Sequence, residues 1–143
     1  MINQVINGVV DALYNAFSTT YPIYKENVNQ GLDEPSFSVF TTKPTEKLFR
    51  GSRYFKHVPI VVNFFPSDDS NNTCYSMIEQ LYTILEYITV GTSPDTAVLR
   101  GINMEGTISD GVVVFTVDYD FFVIRVNNES DPITSYEERI EVG

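Results

Sequence analysis

Two aspartates separated by one residue, Asp118 and Asp120, are the first candidates for chemistry in this sequence. Side chains two apart on a β-strand point to the same face, so the two carboxyl groups could act together as a general acid and base. Exposed sheet faces also carry such pairs without any catalytic role, and the sequence assigns no third reactive group to them. Both interpretations stay open at this stage.

The single histidine, His57, and the single cysteine, Cys74, limit the other kinds of site. A zinc site built from several histidines is excluded, and a Cys–His nucleophile would require the fold to bring these two side chains together. Cys74 lies on the apolar side of a predicted helix and His57 lies in a predicted strand, so packing explains both residues better. One cysteine cannot form an intramolecular disulfide, which favours a reducing compartment.

The oxygen-rich run DDSNN, residues 68–72, has the ligand density of a calcium loop. It lacks the central glycine and the final glutamate of an EF-hand, and it directly precedes a predicted helix, so helix capping is the better explanation. The sequence also has no Walker A loop, no GxGxxG motif and no GxSxG motif. We therefore expect no enzymatic activity, no cofactor and no metal.

A polar loop and a basic stretch remain as candidate contact surfaces. The loop precedes a predicted strand and could bind a ligand or meet another subunit. The basic stretch, KLFRGSRYFKH at 47–57, contains four of the nine Lys and Arg residues, interleaved with aromatic residues. It fits a solvated edge strand, a contact surface for an acidic partner or, less well, a platform for single-stranded nucleic acid. The polar residues of the loop are Glu26, Asn27, Gln30, Asp33 and Glu34.

Two stretches have the apolar spacing of amphipathic helices. In residues 2–18 the apolar side chains recur at intervals of three and four, and Pro22 follows the predicted end. In residues 73–89 a second apolar stripe runs from Cys74 to Ile88, with SNN before it as a cap and Gly91 after it. Each helix has a polar side, so we expect each to lie on a sheet.

The other periodic segments predict β-structure. Strands are predicted at 35–42 and 53–65, where Pro59 suggests an edge or a bulge. A hairpin is predicted at 97–108 and 112–126 around the turn SDG. The sequence thus predicts an α+β fold, a mostly antiparallel sheet with two amphipathic helices packed on it. We assign one domain to 1–126 and an acidic C-terminal tail or docking arm to 127–143.

The charge of the chain narrows the classes of partner. The formal net charge is −10, which argues against DNA or an anionic membrane as the main partner. The first 17 residues have no basic segment and are interrupted by polar residues, so they resemble neither a signal peptide nor a membrane span. These features predict a soluble intracellular protein.

Six segments together resemble the tail terminators, or tail-completion proteins, of phages and phage-like particles of Gram-positive bacteria. The resemblance covers roughly residues 1–126 with the segments in the same order and spacing, and each segment is structural rather than catalytic. The segments are IYKENVNQGLDEPSFSV at 23–39, RGSRYF at 50–55, FFP at 64–66, EQLYTILEYI at 79–88, LRGINM at 99–104 and DGVVVFTVDYDFFV at 110–123.

The resemblance implies a structural virion protein without cofactor or turnover. Tail terminators have helices packed on a β-sheet and assemble, typically as a hexameric ring, on the head-proximal end of the tail tube. They stop polymerisation of the tube and provide the surface to which the head connector binds; in contractile tails the sheath is a further candidate partner. DNA passes through such a ring without specific binding. The protein would be made in the bacterial host cytoplasm and reside in the virion. Another neck or head-completion protein is the alternative, and a nucleic-acid-binding module a distant one.

A ring of identical subunits joins one patch to a different patch on the next copy. The polar loop contains three acidic residues, so we call it the acidic loop. Its charge is opposite to that of the basic stretch, and we therefore expect Arg50 or Arg53 to pair with Glu26, Asp33 or Glu34 of a neighbour. We include Asn27, Gln30 and Tyr54 in this candidate interface. Asp118 and Asp120 are candidates for a lumen-facing acidic surface, where they would repel passing DNA.

Overall fold

The computed structural model describes residues 1–26, 33–68, 70–127 and 136–141. The loop residues Asn27 and Gln30 therefore lie outside the described residues. Two helices are present, α1 at Ile2–Phe17 and α2 at Asn71–Ile84. The strands are β1 Ile23–Tyr24, β2 Ser36–Thr41, β3 Thr45–Arg50, β4 Arg53–Phe65, β5 Tyr87–Thr92, β6 Asp95–Ser109, β7 Val112–Asn127 and β8 Tyr136–Ile140.

The strands form one curled sheet in which β4 and β7 are the central pair. The main path runs β1-β2-β4-β7-β6-β5, and all its pairs are antiparallel except β1 with β2. Both helices pack on one face of the sheet. Helix α1 contacts both β2 and β5, which lie towards opposite edges, because the sheet curls around the helix. The predicted α+β class is confirmed.

Strands β4 and β7 are long enough to take two neighbours on the same side. Strand β2 pairs with residues 60–65 of β4, and β3 pairs with residues 53–57. On β7, β6 pairs with residues 112–119 and β8 with residues 123–127. Beyond the helix-covered part, the sheet thus continues as four strands in the order β3-β4-β7-β8, which we call the extension.

The core lies between the helices and the helix-covered part of the sheet. The alternating residues of β7 from Val113 to Val123 are buried, as their period of two predicts. Asp118 and Asp120 lie on the opposite, helix-free face. Close approach needs a glycine at one point of α1: a Cβ on Gly8 would be 2.8 Å from the carbonyl oxygen of Thr89.

The hairpin of β6 and β7 matches the prediction, and its turn has a clear local cause. Asp110 and Gly111 both have positive φ, 51° and 78°, which is the conformation of a two-residue turn that suits the twist of a hairpin. Asp and Gly accept positive φ more easily than other residues. The SDG signal therefore fixed both the position and the type of the connection.

The second predicted helix is too long. Helix α2 ends at Ile84, and residues 87–92 form β5 rather than a last helical turn. Ile88 continues the helical spacing from Leu85, but Ile88 and Val90 are buried while Tyr87 and Thr89 are exposed, which is the period of a strand. Pairing with β6 decided between the two periods.

Pro59 lies in a central strand but at a local gap in the pairing. Its partner on one side is Asp118 of β7. On the other side β2 stops opposite Ile60 and β3 starts opposite His57, so no strand pairs there. The Thr41 hydroxyl donates to the Pro59 carbonyl oxygen at 2.6 Å, so the backbone edge on which an N–H of residue 59 would lie points into this gap. A missing N–H is therefore tolerated.

The described part of the C-terminal segment is a strand of the same chain. Residues 136–140 form β8 and pair with β7, and Ile140 packs against the core. The domain boundary at residue 126 stays a prediction. Residues 136–140 nevertheless add a strand to the sheet of the preceding domain.

Candidate functional site

The β3–β4 hairpin contains the predicted basic stretch. All six residues of β3 are exposed, including Leu48 at 64% and Phe49 at 59% of their surface. The Phe49 ring meets Phe122 of β7 at 5.0 Å between centroids, on the helix-free face. The basic stretch therefore begins with an exposed edge strand that carries both positive charge and apolar surface.

Arg50, Arg53 and Tyr54, predicted together as interface residues, have different environments. The Arg53 guanidinium pairs with Glu141 of the same chain at 3.0 Å. Tyr54 is partly buried beneath Arg125, whose guanidinium carbon lies 3.9 Å from the ring centre. Arg50 at the hairpin tip is exposed and has no ion pair among the residues that the structure describes. Of the two arginines, only Arg50 has no ion pair among the described residues, so its charge is available for a neighbour.

A charge network crosses the extension and takes one residue from each of its strands. The Lys56 ammonium lies 3.3 Å from Glu46 and 3.0 Å from Glu138. Arg125 binds Glu46 through Nη2, and its Nε is 3.5 Å from Glu138 Oε2. Two carboxylates therefore enclose two cations, and the four strands are joined by side chains as well as by backbone.

The network changes the protonation of Glu46. Burial by itself would raise the pKa of this carboxyl, but hydrogen bonds from Arg125 and Lys56, together with their charges, outweigh burial. The net effect holds the pKa of Glu46 below its usual value. The network therefore favours the charged form of the Glu46 carboxyl.

The acidic loop lies at the other end of β4 from the basic hairpin. Glu26, Asp33 and Glu34 are exposed. Glu34 is close to the start of β2, whose first residue pairs with Phe65. The Ser38 hydroxyl donates to the Glu26 carbonyl oxygen, which ties the start of the loop to the sheet. Since β4 has 13 residues, the two charged regions are separated by roughly 40 Å of strand.

Asp118 and Asp120 have separate partners instead of sharing a proton. Asn103 Nδ2 donates to Asp118 Oδ2 at 3.0 Å, and Asp120 Oδ1 is 2.5 Å from His57 Nδ1. In the part of the chain that the structure describes, the other nitrogen of His57 has no hydrogen-bond partner. Each carboxylate of the pair is thus engaged by a different side chain.

Cys74 and His57 lie on opposite faces of the sheet. Cys74 is buried under α2, and its Sγ faces the Gly111 carbonyl oxygen at 4.0 Å. Burial first, and then the charge of Asp68, raise the pKa of the Cys74 thiol, which makes it a poor nucleophile. His57 is on the helix-free face, so the fold does not form a Cys–His pair.

The DDSNN run contributes to the start of α2. Asp68 Oδ1 accepts a hydrogen bond from the Ser70 N–H at 3.1 Å, and Asp68 Oδ2 accepts one from the Thr73 hydroxyl at 3.3 Å. Asp69 lies outside the described residues. Among the described residues no cluster of three or more His, Cys, Asp or Glu could hold a metal ion. Within the same residues no helix is long and apolar enough to cross a membrane.

A family model described as phage tail terminator protein matches residues 4–131. The chain belongs to this family. The match extends over α1, α2 and strands β1 to β7, and it makes this terminator a component of the phage tail. It confirms the resemblance seen in the sequence, and it implies contacts with other tail or neck proteins.

Two further comparisons add little. No curated protein matches the sequence. One solved structure, whose title names no function, is 12% identical and covers 90% of this chain and 99% of its own, with a TM-score of 0.48. With a TM-score this low, the similarity does not establish a shared fold.

The sequence analysis missed the network of Glu46, Lys56, Arg125 and Glu138. The Glu46–Lys56 half of the network could have been predicted, because the turn residues Gly51 and Ser52 separate two short runs that could form a hairpin. Glu46 and Lys56 then become direct cross-strand partners. Arg125 and Glu138 could not be added, because the pairing of β8 with β7 spans a long connection whose register the sequence does not specify.

Proposed function

We propose that this tail terminator forms a ring, of six copies as the family resemblance implies, on the head-proximal end of the tail tube. There it stops polymerisation of the tube and provides the surface to which the head or neck connector binds. The observation that carries the proposal is the family match over residues 4–131. The tube protein and the connector are the proposed partners, and the sheath is a third where the tail contracts.

The proposed role requires binding surfaces and no turnover. The exposed hairpin with Leu48, Phe49 and Arg50 is suited to protein contact, because it presents apolar and charged groups together. The titratable residues considered for catalysis are engaged in packing or in pairs within the chain. We therefore propose that the protein is not an enzyme and binds no cofactor.

We further propose that Asp118 and Asp120 face the channel through which DNA passes. The acidic net charge of the chain supports this arrangement, since like charge repels the phosphate backbone and prevents specific binding. Lysines at both positions should slow DNA passage and lower infectivity while the ring still forms. Unchanged infectivity with an intact ring would place the aspartates elsewhere.

Deletion of the gene, followed by electron microscopy of the particles, tests the proposed function. A terminator predicts tails of uncontrolled length that do not join heads, and restoration of normal tails when the wild-type gene is supplied in trans. Tails of normal length beside detached heads would instead identify a neck or head-completion protein. Normal particles would reject both roles.

A further inference from the structure

The extension ends in two strand edges that no described residue of the chain pairs with. Strand β3 pairs only with β4, and β8 pairs only with β7. Unpaired edges offer a row of backbone N–H and C=O groups, and an edge with exposed apolar residues is a site for pairing with another chain. Leu48 and Phe49 make β3 such an edge.

The two edge strands differ in their content of charged residues. Residues 43–50 contain three basic residues and one acidic residue, whereas residues 136–141 contain three acidic residues and one basic residue. Lys47 is exposed on one edge, and Arg139 is the exposed cation of the other. Glu138 and Glu141 already pair with cations of the same chain, so the open backbone edges, rather than charge, carry the proposed contact.

The strand directions fit a contact between copies. In the extension each strand is antiparallel to its neighbour, so β3 and β8 run in opposite directions. If the strands run roughly along the ring axis, rotation about that axis keeps their directions nearly unchanged, and β8 of one copy meets β3 of the next as an antiparallel pair. Because the two edges differ, the contact is heterologous and closes into a ring at a suitable rotation.

A groove lies beside the free edge of β8. It has a volume of about 410 Å³ and is bordered by residues 138–140 of β8, by the β5–β6 hairpin around Asp95 and Thr96, and by Met1 and Gln4 of α1. The groove leaves open space beside this edge of β8, into which β3 of another copy would enter.

We propose that the free edge of β3 in one copy pairs, antiparallel, with the free edge of β8 in the next copy, so that the extension runs unbroken around the ring. This inference rests on the proposed ring. In this arrangement neighbouring subunits meet side by side through the edges of β3 and β8. The alternative is an end-to-end arrangement, in which Arg50 of one subunit pairs with the acidic loop of the next. Arg53 then serves within the subunit, where it binds Glu141 next to β8.

Disulfide crosslinking tests the edge contact. Lys47 and Arg139 lie on the same face of the sheet, as their cross-strand partners Phe55 and Ile124 show. In one chain they are separated by three strand spacings, roughly 14 Å, which no disulfide can span. A Lys47→Cys variant combined in turn with Glu137→Cys, Arg139→Cys or Glu141→Cys should therefore crosslink only between copies. The native Cys74 is buried and should not react.

The expected result is a ladder of covalent oligomers for at least one of these pairs, both in purified protein and in intact tails. Leu48→Cys with Arg139→Cys is the matched control, because these positions face opposite sides of the sheet and should give little product. A ladder from Glu34→Cys with Arg50→Cys, and none from the edge pairs, would overturn the proposal in favour of end-to-end contact. The absence of any ladder in tails that still carry the ring would overturn it as well.

The crosslinking result is independent of the gene-deletion result. A ladder from the edge pairs together with normal tails after deletion would support the edge contact and reject the terminator role. Uncontrolled tail length without edge crosslinks would support the role and reject the contact.

Discussion

The helix-covered part of the sheet and the extension are built from the same two long strands but stabilised by different forces. Around Phe115 and Val117, β4 and β7 pack against two helices, and their inward side chains are buried. Around Lys56 and Arg125, the same strands carry a charge network that stays partly exposed. Apolar burial fixes the first region without a partner, whereas the second keeps open edges. The proposed edge contact would place association at the opposite end of the sheet from the apolar core.

The largest expected effect is on the helix-covered part. Leu81→Ala removes a fully buried side chain from α2 and should lower the free energy of unfolding by about 2–5 kcal/mol, because it leaves a cavity. Urea denaturation measures the change. Val98→Ala, at a position 65% exposed, is the control. Similar small losses in both variants would contradict the picture of an apolar core as the main source of stability.

A smaller loss is expected where this core contains a polar group. The Tyr119 hydroxyl donates to the Leu85 carbonyl oxygen at 2.7 Å, and burial raises the pKa of Tyr119 well above its usual value. Tyr119→Phe leaves that oxygen without its donor and should cost about 1–3 kcal/mol. Tyr75→Phe on the exposed side of α2 provides the comparison in the same denaturation experiment. Equal stability of the two variants would show that the hydrogen bond is unimportant.

The charge network should make the stability of the extension depend on pH. Because the folded pKa of Glu46 is lowered from 4.5, its contribution is complete above that value and is lost as pH falls through the folded pKa. Glu46→Gln should cost about 1 kcal/mol at neutral pH, and the difference from wild type should shrink on acidification below 4.5. Denaturation across this pH range checks it, with Glu79→Gln as control. A difference that does not vary with pH would argue against the network.

The smallest effect on stability is expected at the hairpin tip. Arg50→Glu changes an exposed residue and should alter the free energy of unfolding by less than about 0.5 kcal/mol. Arg53→Glu should cost more, because it opposes Glu141 in the same chain. Light scattering then separates stability from assembly. If the tip pairs end to end with the acidic residues, Arg50→Glu and Glu34→Lys should each weaken the ring. Arg50 also belongs to β3, so only Glu34→Lys leaves the proposed edge contact intact and separates the two arrangements.

Several elements were predictable because their signals are local. The alternation of β7, the helical spacing of α1 and the Asp110–Gly111 turn each depend on neighbouring residues. Strand β4 was predicted with the bounds that the structure shows, Arg53–Phe65. The end of α2 was not, since Ile88 satisfies both the helical and the strand period, and only the pairing with β6 distinguishes them.

The candidate site was less predictable than the fold. Arg50, Arg53 and Tyr54 were predicted as interface residues because they are close along the chain and carry charge or an aromatic ring. It could not show that Arg53 binds Glu141 or that Tyr54 lies under Arg125, because those partners are about 70 to 90 residues away along the chain. The role of these residues between subunits stays a prediction.

The amino-acid sequence by itself determined the fold class, most of the strands and the terminator family, because periodicity, turn residues and a recognisable order of segments are all written along the chain. Only the tertiary structure decided which charges remain available for a partner. Register brings Glu46, Lys56, Arg125 and Glu138 from four strands into one network and leaves the edges of β3 and β8 open. Long-range pairing sets that register, and local residue patterns do not encode it.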